Sequence, residues 1–169
     1  MATFKPGQVV RYGQAGVCEI REIAKMESGT GTASYYALSP LFKNGSAVYV
    51  PCDNETLTAR MCPLVTPAEI DDLLARAEAA PCPWNRDFRK RSDESRRALL
   101  SPDRLDALVM IKSILAHKQE LIRSGKNVHT TDDYFLRDAE QLIYHEFAYV
   151  LQKPFEEVEQ HVRDRLVRD

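Results

Sequence analysis

No run of this sequence stays apolar for the roughly 18–20 residues that a bilayer span requires. The opening Met1–Pro6 stretch also lacks the basic-then-apolar layout of a secretory leader, so the expected location is the cytoplasm. Cysteine is scarce and badly spaced for metal: Cys18, Cys52, Cys62 and Cys82 lie 34, 10 and 20 residues apart, with no C-x-x-C pair. Buried thiols are the expectation, and no zinc site. Glycine numbers only seven and forms neither G-x-x-x-x-G-K-[ST] nor G-x-G-x-x-G, so Gly29-Thr30-Gly31 reads as a turn and not as a phosphate cradle. There is no G-x-S-x-G nucleophile elbow, and His145-Glu146-Phe147-Ala148-Tyr149 lacks the second histidine that a zinc-protease helix needs. Neither an enzyme nor a cofactor is expected. Charge of one sign is missing as well: the net of −2 exerts no global pull toward nucleic acid.

What is present divides at about residue 63. Before it, short β-favouring runs alternate with turn residues: 8–12, 16–23, 34–38 and 47–51, with 57–61 as a possible last strand. Ser28-Gly29-Thr30-Gly31 and Lys43-Asn44-Gly45-Ser46 supply hairpin turns. A small antiparallel barrel over 1–63 follows. After it, the apolar period lengthens to that of helices. Thr66-Pro67-Ala68-Glu69 combines an N-cap, a first-turn proline and an acidic third residue, and Ile70, Leu73, Leu74 and Ala77 share one face beyond it. Pro81-Cys82-Pro83 must interrupt that helix, so 64–83 reads as a helix and hinge between two parts. Four more helical stretches are expected within 84–169: from about Trp84, from Ser101-Pro102-Asp103 to just before Gly125, from about Thr131, and from Pro154. One apolar stripe on each implies a bundle. The fold class is therefore α+β in two parts.

The modest net charge hides a segregation. From Trp84 to Lys126 there are 11 Lys and Arg against 6 Asp and Glu, and from Asn127 to Asp169 there are 5 against 10. The basic segment opens with the only tryptophan, followed by Arg86, Arg89, Lys90, Arg91, Arg96 and Arg97. Cations hold phosphates, and an apolar ring beside them can wedge into a distorted base step. A core tryptophan beside a solvated charged face is the competing reading.

Certain residues also carry a family resemblance. Phe4-Lys5-Pro6-Gly7-Gln8-Val9-Val10-Arg11-Tyr12, Gly16-Val17, Glu19-Ile20, Tyr35-Tyr36-Ala37-Leu38, Val48-Tyr49-Val50-Pro51 and Asn54 resemble the CarD-like bacterial transcription regulators, whose first domain is shared with transcription-repair coupling factor. Trp84 with Arg86 and Arg89, and Ala139-Glu140-Gln141-Leu142 with Glu146, resemble the second part of the same family. This chain reads Tyr12-Gly13-Gln14-Ala15-Gly16 where many relatives have Tyr-Pro-x-His-Gly, and has Tyr49 where some have arginine. The resemblance implies a Tudor-like domain that pairs a strand with the β-subunit of RNA polymerase, and a helical domain that reaches upstream promoter-bubble DNA. No membrane association is expected, and a monomer is. By it, Lys25, Met26 and Tyr49 would face polymerase. Trp84, Arg86, Arg89, Lys90, Arg91, Lys112 and Lys126 would face DNA. The alternative is a protein-interaction adaptor whose helices never meet DNA.

Overall fold

A computed structural model describes residues 3–168, which fall into two units, 3–64 and 65–168. In the first unit, β1 (Val9–Tyr12), β2 (Gly16–Ser28), β3 (Gly31–Pro40), β4 (Val48–Pro51) and β5 (Met61–Pro63) form one antiparallel sheet in the order β4-β3-β2-β1-β5. Each strand contributes to a single core of Val10, Cys18, Ile20, Tyr36, Leu38, Val50 and Met61. The run 57–61 does not make the expected last strand. Asn54 caps a short helix, α1 (Glu55–Thr58), by accepting the Leu57 N–H at 3.0 Å, and the strand begins only at Met61. A side-chain cap thus overrides the β-favouring composition of that run.

Strands β2 and β3 outrun their neighbours. β1 pairs with β2 only as far as Glu19, and β4 pairs with β3 only over Tyr35–Leu38, so the far ends of β2 and β3 extend as a two-stranded arm closed at Ser28–Gly31. Gly31, at φ 132°, takes the turn conformation that a side chain would resist. A bulge at Arg21 shifts the register from Ile20↔Leu38 to Glu22↔Ala37. Because side chains alternate across a strand, one extra residue exchanges the two faces beyond it. Ile23 and Lys25 therefore continue the face of Ile20, whereas Ala24 and Met26 take the other. This is the reason the sequence alternates imperfectly from Val17 to Ile23.

The second unit holds α2 (Pro67–Ala79), α3 (Phe88–Leu100), α4 (Arg104–Arg123), α5 (Thr130–Leu151) and α6 (Phe155–Leu166). The expected capping box forms: Glu69 N–H donates to Thr66 Oγ1 at 3.2 Å, and Thr66 N–H to Glu69 Oε2 at 2.7 Å. Ile70, Leu73, Leu74 and Ala77 of α2 enter the same buried cluster as Leu108, Ile111, Ile143, Phe147 and Val162. Residues 64–83 are thus no connector between parts. The division falls after Leu64, and Pro81–Pro83 links two helices of one unit.

Ion pairs with buried carboxylates tie these helices. Glu146, fully buried, accepts from Arg104 Nη2 at 2.7 Å and Nε at 3.2 Å and from the Val65 N–H at 3.2 Å. Glu140 accepts from Arg163 Nη2 at 2.7 Å and from Tyr144 Oη at 3.2 Å. Burial pushes the Glu140 carboxyl up against the pull of Arg163. No described helix is long and apolar enough to cross a membrane. Cys18 alone of the four cysteines is buried; Cys52, Cys62 and Cys82 are half-buried, which corrects the expectation of buried thiols.

Candidate polymerase edge and nucleic-acid face

In the sheet unit, β4 lies at one margin, where the outward side of its backbone has no strand partner among the described residues. Such an edge offers main-chain donors and acceptors to an added strand. Tyr49, 47% exposed, stands on β4 opposite Ala37. Met26 stands opposite Ala33, and Ala33, Tyr35 and Ala37 alternate on β3, so Met26 and Tyr49 share one face of the sheet. Lys25 is exposed but pairs with Ser34 and occupies the opposite face, on account of the bulge. Of the three expected polymerase-facing residues, two are brought together.

In the helical unit, Trp84 does not begin a helix. Pro83, Trp84, Asn85 and Arg86 precede α3, and Asp87 is the N-cap, its carboxylate accepting the Arg89 and Lys90 N–H groups at 3.0 and 3.2 Å. The indole is half-buried against the helical core. His117 of α4 stacks on it with ring centroids 3.8 Å apart and 10° between planes, and Arg91 Cζ stands 4.5 Å from its centroid. It also forms part of the wall of a groove of about 470 Å³ lined by Pro83, Leu105, Val109, Met110 and Ile114. The indole is neither sealed among the helices nor a bare wedge.

The cations separate into two groups. Arg86, Arg89 and Lys90 are exposed, with no acidic side-chain partner among the described residues. Arg91 is committed elsewhere: Nε and Nη2 donate to the two carboxylate oxygens of Asp132 at 2.8 and 2.9 Å, and Nη1 to the Asn85 carbonyl at 2.9 Å. The pair is largely dry, at 12% and 2% side-chain exposure. Lys112 is also turned inward. Its Nζ donates to the carbonyls of Ala77, Glu78 and Ala80 at 3.1, 2.7 and 2.8 Å, which caps the C-terminus of α2. Proline at 81 cannot donate to the Ala77 carbonyl, so the ammonium replaces the missing N–H. Lys126 is exposed in the α4–α5 turn, where its own N–H closes α4 on the Leu121 carbonyl at 2.8 Å.

Three participants went unread in the sequence. Phe88, the first residue of α3, is 41% exposed; its ring lies 4.5 Å from that of His129 and 5.5 Å from Arg91 Cζ. His129 caps α5, with Nδ1 accepting the Thr131 N–H at 3.2 Å. His117 is the indole's stacking partner. The available signal for Phe88 was its place four residues after the tryptophan, between Arg86 and Arg89. Nothing local marks either histidine, since each finds its ring partner far away in the sequence.

The described residues hold no cluster of three or more His, Cys, Asp or Glu able to bind a metal ion. Arginine and lysine beside exposed rings can hold phosphates and stack on bases, and the sheet margin can add a strand. No curated protein matches the chain. Residues 4–62, the sheet unit described above, match the CarD-like/TRCF RID domain, and the chain therefore carries at its N-terminus a domain of the kind that interacts with RNA polymerase.

Proposed function

We propose that this protein is a non-catalytic transcription regulator that holds the β-subunit of RNA polymerase by the margin of its sheet unit and touches upstream promoter-bubble DNA with the Trp84 face of its helical unit. The observation that carries the second half is the set of three exposed, unneutralised cations, Arg86, Arg89 and Lys90, beside a half-buried indole. The first half rests on the RID domain and on the free edge of β4. By this reading main-chain pairing along Val48–Pro51 supplies affinity, and Tyr49 and Met26 select the partner.

With three phosphate contacts, log K for duplex DNA falls with log salt at a slope of about −3. DNA binding alone is then weak at physiological salt, and the acidic 127–169 segment weakens it further. Docking on polymerase compensates by raising the local concentration of the helical unit at the promoter. The factor shifts the promoter equilibrium only by as much as it prefers open DNA to closed; a preference of about 1.4 kcal/mol shifts the ratio tenfold.

The protein-interaction adaptor draws support from the coverage of the indole by His117 and Arg91. The two readings part on Trp84→Phe, which keeps an apolar ring in the helical core and shortens the projection. The regulator reading expects unchanged polymerase binding and a shorter open-complex lifetime on a sensitive promoter. An unchanged lifetime favours the adaptor.

A further inference from the structure

Of the aromatic side chains on the cationic face, Phe88 has the greater claim to an outside partner. Trp84 already has an imidazole stacked on it and a guanidinium over it. Phe88 keeps 41% of its surface in water at the first position of α3, where Asp87 fixes the backbone by accepting the next two N–H groups. Its ring is also held in place. His129 lies against it, and Arg91, which stands 4.5 Å from the indole centroid and 5.5 Å from the phenyl centroid, is itself clamped by Asp132 and the Asn85 carbonyl. One immobilised guanidinium therefore joins both rings, so an aromatic surface is prepared in advance and little side-chain freedom remains to be lost on binding. The nearest exposed side chains in sequence are Asp87 and the three cations Arg86, Arg89 and Lys90. Asp87 is engaged with backbone N–H groups, and Asp132 with Arg91. An exposed, rigid ring amid unneutralised positive charge matches a partner that has both π-faces and phosphates.

We infer that Phe88 is a second stacking residue of this face and that it takes an unpaired nucleobase released by opening duplex, while Arg86, Arg89 and Lys90 hold the flanking phosphates. This rests on the nucleic-acid reading above and adds to it a preference for unpaired over paired DNA, because a base still stacked in the helix cannot offer its face. Leucine at 88 keeps the apolar bulk and removes the ring; tryptophan keeps a ring.

The test is fluorescence anisotropy at low salt with the full-length protein, a labelled duplex carrying a short unpaired bubble, and the same sequence fully paired. Wild type is expected to favour the bubble. Phe88→Leu is expected to lose about tenfold on the bubble and less than about twofold on the paired duplex, with Phe88→Trp close to wild type. Phe88→Gln, read against thermal melts of both variants, gives the same comparison should the leucine variant fold poorly. Equal affinity of Phe88→Leu and wild type for the bubble, or no bubble preference in wild type, overturns the inference and leaves the nucleic-acid reading intact as long as the triple variant Arg86→Gln, Arg89→Gln, Lys90→Gln still weakens both DNAs. If that triple variant binds both DNAs as wild type does, or wild type binds neither, the nucleic-acid reading itself fails and Phe88 falls with it.

Discussion

Lys112→Met separates a structural lysine from a DNA-binding one. The wild-type ammonium donates to three carbonyls at the C-terminus of α2, and one of them, that of Ala77, faces a proline where a continuing helix would present an N–H. A hydrogen bond to a charged group contributes about 1.5–3 kcal/mol net, and a cation at a helix C-terminus about 0.3–1. These contributions are not additive, and water can reach part of the site once the ammonium is gone, so about 2–3 kcal/mol is the expected loss. Methionine keeps the methylene packing. Urea unfolding followed by the fluorescence of Trp84, the only tryptophan, reports the helical unit specifically. With an m-value of about 1–2 kcal/mol/M, the midpoint falls by about 1–3 M. DNA affinity at a temperature well below the melt, and its salt slope, stay as in wild type. A variant that unfolds within about 0.5 kcal/mol of wild type but loses one unit of salt slope would make Lys112 a phosphate contact and refute the capping argument.

Two further expectations concern other buried groups. Glu146→Ala strands the Arg104 guanidinium and the Val65 N–H in a dry site, at an expected cost of about 3–5 kcal/mol; a midpoint shift below about 0.5 M in the same urea assay would show that the pair contributes little. Burial pushes the Cys18 thiol up to about 11, so at pH 8 its thiolate fraction is very small. Mass-resolved alkylation of the folded protein should label Cys62 and Cys82 before Cys18, and labelling of Cys18 first would show that its pocket opens.

The periodicities that build both units are carried by neighbouring residues, and for that reason they were legible in the sequence. The Thr66–Glu69 box, the four apolar residues of α2 and the strand runs around Val10, Leu38 and Val50 are all set by spacing within one element. The errors come from side chains that reach outward from their element. Asn54 turns a β-favouring run into helical α1, and Asp87 delays α3 until after the tryptophan. Arg91 finds Asp132 forty-one positions away and Lys112 finds Ala77 thirty-five away, so two residues that read as surface cations are consumed inside the unit. No window of residues around either lysine or arginine contains that information. The same holds for Tyr49 and Met26, whose common face depends on a bulge and two ladders.

The extra residue at Arg21 gives this sheet a form of evolvability that regular strands lack. Everything distal to it points as it does because of a single insertion, while Ile20 and Leu38 lie before it. Taking Arg21 into the regular ladder would slip β2 by one residue and invert its part of the arm, carrying Lys25 to the place opposite Ala33 where Met26 now projects. A lineage could thus exchange a greasy recognition surface for a cationic one by losing the bulge, with no substitution at the binding positions themselves.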